Sequence, residues 1–147
     1  MKAILEPLAI ANNVTQATNT RIDHVALTLG NLYRIYDNAN LEGPLRDRVL
    51  WSLSKRWKAA DQDVFILSVV LHPWIRGHCL SKGISPMTLF NMANRVFARL
   101  FEHEPDFNFM NEFTDFCDGL GKFSNESMGL AMWKAKFEGQ VRIDKFE

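Results

Sequence analysis

The sequence predicts an all-α fold, a single-domain irregular bundle of about six or seven helices. Apolar residues recur at steps of three and four through most of the chain, the spacing of helices that bury one face. Short Gly, Pro and Asn clusters separate these runs, which favours antiparallel neighbours. Hydrophobic residues make up 47% of the 147 and charged residues 23%, enough apolar volume for a core without a disulfide or metal staple. The helical domain is drawn over 1–139, with 140–147 as a C-terminal tail of alternating charged and apolar residues.

Ile22, Val25, Leu29, Leu32 and Tyr36 share one helix face, with Thr20 as the expected N-cap. Asn38, Asn40 and Gly43 break the run, and Pro44 suits the first turn of a second long helix. There Leu45, Val49, Leu53 and Trp57 lie four apart, widened by Leu50 and Trp51. Asp61 or Asp63 opens the run from Val64 to Leu71, which has no partner strand and is read as a buried helix ended or kinked by Pro73. Ser85 and Pro86 form an N-cap and first position for the stripe of Leu89, Ala93, Val96 and Leu100, which Pro105 stops. A short helix follows through Phe109, Phe113 and Cys117 to Gly119 and Gly121. A last one holds Met128, Ala131, Met132 and Phe137, capped by Ser124 or Asn125.

Few chemistries find their residues here. Helix-end acids such as Asp61, Asp63, Asp106 and Glu126 suit the macrodipole better than a paired-carboxylate site. His72, His78 and Cys79 lack a second ligand pair, so no metal and no cofactor is expected. Gly119-Leu120-Gly121-Lys122 lacks the rest of a phosphate loop, and no nucleophile elbow occurs. No small-molecule substrate is therefore expected. Two cysteines, Cys79 and Cys117, and no opening apolar run point to a nuclear or cytoplasmic protein rather than a secreted or membrane one.

The basic residues carry the remaining signal. Net charge is zero, yet Arg46, Arg48, Lys55, Arg56 and Lys58 crowd the second long helix around Trp51 and Trp57. Arg95 and Arg99 lie four apart, on one face of another helix. Such a cluster suits a phosphate backbone, while a solvated face paired with Asp47 and neighbouring acids is the plainer reading. The aromatics Phe90, Phe97, Phe101, Phe107, Phe109, Phe113 and Phe116 are core by default; any that are exposed would suit a protein partner.

The segment from Asp61 to Arg76 resembles a block of hAT-family transposases: an apolar run, then L-[DHN]-P-x-[YFI]-[KR], matched by Leu71, His72, Pro73, Ile75 and Arg76. Three further stretches are similar to fungal hAT-like proteins: Ala3 to Leu8, Leu27 to Tyr36 and Arg95 to Phe101. The resemblance spans roughly residues 1 to 138. It implies the helical insertion of an RNase H-like transposase, without the strand-borne aspartates, the later glutamate block or the zinc finger. No catalytic residue carries over, so no enzyme is expected. The implied function is a non-catalytic module that contacts DNA non-specifically or assists assembly, by self-association or with the remainder of a transposase. Arg46, Arg48, Lys55, Arg56, Lys58, Arg76, Arg95 and Arg99 are the expected DNA contacts. A free-standing helical interaction domain with an aromatic interface is the alternative.

Overall fold

The computed structural model describes residues 2–38, 43–76, 78, 80 and 84–143. All regular structure among them is helical. The order is α1 Lys2–Gln16, α2 Ile22–Asn38, α3 Gly43–Ala59, α4 Gln62–Val70, α5 Pro86–Phe101, α6 Phe107–Asp118 and α7 Leu130–Ile143, with a 3-10 turn at Gly121–Phe123. The expected all-α bundle of about six or seven helices is what forms. The chain groups into two compact units, 1–69 and 70–147. The sequence boundary at 139/140 falls inside α7.

In the first unit α2 packs against both α1 and α3. Ala11, Leu32, Tyr36 and Leu53 are buried together, with Leu29, Val49 and Leu50 against them. Burying a side chain of this size stabilises by roughly 1.5–3 kcal/mol, so these few residues hold the three helices to one another. Trp57 meets Phe65 of α4 edge-on, ring centres 6.2 Å apart. Asp61 caps α4: its Oδ1 accepts from the Val64 amide at 3.4 Å and its carbonyl from Phe65.

The second unit is built around aromatic contacts. Phe97 of α5 lies 4.8 Å from Phe109 of α6, which stacks on buried Phe113 at 6.2 Å. Ser85 caps α5, accepting from the Thr88 amide, with Pro86 directly after it. Asp106 caps α6 in the same way through the Phe109 amide. Left-handed residues end both helices: Glu102 at φ 60° and Gly119 at φ 69°.

Several expectations are corrected. The sequence reading places no helix before residue 20, yet α1 is fifteen residues long with Pro7 inside it. Proline in a helix removes a donor and crowds the preceding turn, which makes the segment read as broken. Thr20 does not cap α2: its hydroxyl donates to the Val14 carbonyl and its amide to Ala17, closing the end of α1. Ser124 accepts from the Ser127 amide in a turn, and α7 begins later, after Gly129 at φ 61°. Glu102 stops α5 before Pro105 is reached. Asn40 and Cys79 lie outside the described residues.

Candidate nucleic-acid interface

Helix α3 carries Arg46, Arg48, Lys55, Arg56 and Lys58 against one acid, Asp47, for a net charge of +4 in a chain whose total is zero. Its inward side is fixed by buried Leu53. At 3.6 residues per turn, Arg48, Trp51, Lys55 and Lys58 step by three, four and three residues along the side opposite Leu53. All four are exposed, Trp51 at 66%. The Lys55 ammonium sits over the Trp51 ring, 5.3 Å from its centre, an attraction that holds the indole against the stripe. None of Arg48, Lys55, Arg56 or Lys58 has a carboxylate within ion-pair distance among the described residues. The stripe spans about 15 Å at 1.5 Å rise per residue.

The other expected contacts are placed differently. Arg46 turns partly inward and lies 3.7 Å from Asp47, with Nε buried and unbonded. Arg56 flanks the stripe and, with Arg48, borders a shallow groove that also takes in Asn12 and Thr15 of α1. Arg95 and Arg99 belong to the second unit, exposed on α5, and each has a neighbour engaging it.

Arg76 has an internal use. Pro73 follows α4 in a turn where the Ile75 and Arg76 amides both donate to the His72 carbonyl at 2.9 Å. Arg76 then takes φ 46°, a left-handed conformation that costs about 1 kcal/mol for a residue with a side chain. That turn sends its guanidinium to the loop after α6. One nitrogen donates to the Phe123 carbonyl and approaches the Met128 sulfur at 3.4 Å. The group also lies over the Phe116 ring at 5.6 Å. A Cβ at Gly119 would stand 2.1 Å from its Nη1, so a side chain there requires the guanidinium to shift from this place. The cleft beside it, about 760 Å³, mixes Arg76, His78 and Lys134 with Asp118 and Glu126, so its charges offset one another.

Titratable groups elsewhere look structural. Asp23 is buried, and burial alone raises its pKa, but the Arg21 hydrogen bonds and charge, helped by His24, hold it below 3.8. Burial pushes the Cys117 thiol up, as does Asp118, against a smaller opposing pull from Arg76. No group of three His, Cys, Asp or Glu able to hold a metal occurs among the described residues. No described helix is long and apolar enough to cross a membrane.

Sequence reasoning found the basic helix but missed its internal division. The signal was present, since positions 48, 51, 55 and 58 avoid every position of the Leu45, Val49, Leu53 and Trp57 stripe. No known protein family, curated protein or solved structure matches the chain.

Proposed function

We propose that this chain is a non-catalytic helical module that holds a nucleic-acid backbone through the outward face of α3. One observation carries the reading: Arg48, Lys55 and Lys58 stand in line with exposed Trp51 on a solvent-facing stripe, with no carboxylate within ion-pair distance among the described residues. Cations held on a rigid helix suit phosphates, because such contacts position a duplex without reading its sequence. An indole beside them adds a face on which a base or sugar can lie. The transposase-like sequence blocks favour DNA as the polymer and a helper role in a larger assembly.

Fluorescence anisotropy of a labelled duplex with the full chain tests the reading. Lys55→Glu, Arg56→Glu and Lys58→Glu together are expected to remove measurable affinity at moderate salt, while far-UV circular dichroism stays unchanged. Equal affinity in the wild type and this variant would rule the α3 face out.

A second reading has its own observation. Leu100, Phe101 and Phe107 are more than half exposed at the α5–α6 connection, a small apolar projection suited to a protein partner.

A further inference from the structure

The first unit contains an apolar groove and the second an apolar projection, and their surroundings carry opposite charge. The groove lies between α2 and α3, about 360 Å³, lined by Ala26, Leu29, Gly30, Tyr33 and Trp57, with Lys58 at its rim. A Cβ at Gly30 would meet nothing within 4 Å, so the groove is open above that backbone. Its rim is basic at Lys58, which lines the groove together with Leu53 and Ser54 of α3.

The projection is the α5–α6 connection. Glu102 turns the chain in the left-handed conformation, and Asp106 starts α6. Phe107 is 74% exposed, with Leu100 at 68% and Phe101 at 58%. Phe97 beneath them contacts Phe101 at 4.5 Å and Phe109 at 4.8 Å, which fixes the base of the projection. Glu102, Glu104 and Asp106 surround it, all exposed. No Lys or Arg occurs from Leu100 to Gly121, a stretch that also holds Glu112, Asp115 and Asp118.

We infer that the α5–α6 projection of one copy docks in the α2–α3 groove of a second copy, with Phe107 in the groove and Glu102, Glu104 or Asp106 against Lys58. The occupant the groove calls for is an aromatic residue set among carboxylates, and the chain carries that element itself. Apolar burial supplies the attraction, and opposite charge sets the orientation. Each copy offers one groove and one projection, so the contact is head-to-tail and extends unless it closes on itself. The inference does not rest on the phosphate-binding reading, although it shares Lys58 with it.

Sedimentation velocity of the full chain over a wide concentration range tests it. Wild-type protein is expected to grow in mass with concentration, more at low salt than at high. Phe107→Ser removes the projection, and Gly30→Leu fills the groove from its own backbone. Each is expected to weaken association at least about ten-fold, the loss of roughly 1.4 kcal/mol. Gly30→Ala, which leaves the groove open, is expected to associate as the wild type does. Mixing Phe107→Ser with Gly30→Leu leaves one intact groove and one intact projection, and should give a one-to-one dimer that grows no further. Both variants are expected to keep wild-type duplex affinity, which separates this contact from the phosphate-binding face. A wild type that stays monomeric at every concentration overturns the inference. So do variants that associate undiminished, or a mixture that forms no dimer.

Discussion

Arg76 shows how far a residue's role can lie from its local sequence. A cation two residues after a Pro-Trp pair reads as a surface contact. Its use is set by a φ of 46° and by Gly119, which is far along the chain. Gly119→Ala is expected to destabilise the second unit by about 2 kcal/mol or more, from left-handed strain plus displacement of the guanidinium. Chemical denaturation measures this, and a loss below a few tenths would show that the arginine moves aside freely. Asp23 makes a pH prediction. Its folded pKa lies below 3.8, so its contribution is present above the unfolded value and disappears as pH falls through the folded one. Asp23→Asn should therefore be less stable than the wild type at neutral pH, and the gap should close on acidification below about pH 4. A gap that persists unchanged at low pH would contradict this. None of this was readable beforehand, because the burial of Asp23 and its Arg21 partner are products of packing.

Among the elements, caps and stripes were the legible part. Ser85 with Pro86, Asp61 before the Val64 run and Gly119 after Phe116 all stand where local chemistry places them, because each acts within a few residues of itself. Elements whose signals conflict were not. Pro7 masked α1, and Thr20 serves the end of one helix instead of the start of the next. Two predictions belong at this scale. Gly30 lies inside α2 with open space where a Cβ would go, so Gly30→Ala should stabilise the first unit by roughly 0.5–1 kcal/mol. Asp106→Ala should cost about 1 kcal/mol through the lost α6 cap, whereas Asp106→Asn should cost little. Thermal melts of the three variants check both statements, and an equal loss for alanine and asparagine would remove the cap from the account.

For the whole molecule, charge is the informative quantity, and its total conceals it. Zero net charge argued against nucleic-acid contact, but it averages over a basic α3 and an acidic stretch from Glu102 to Asp118. The segregation was visible in the sequence, and so was the spacing of 48, 51, 55 and 58; that this face looks outward became visible only once Leu53 was seen to point inward. The grouping into units 1–69 and 70–147 was not legible, because no linker composition marks it and the division falls within α4. The measurement that bears most directly on the α3 face is the salt dependence of duplex binding. We predict that log affinity falls with log salt at a slope of about −3, one counterion for each of Arg48, Lys55 and Lys58. Replacing these three with glutamine should bring the slope close to zero, while glutamine at Arg95 and Arg99 leaves it in place. A slope unchanged by the α3 replacements would mean that this face does not hold the backbone.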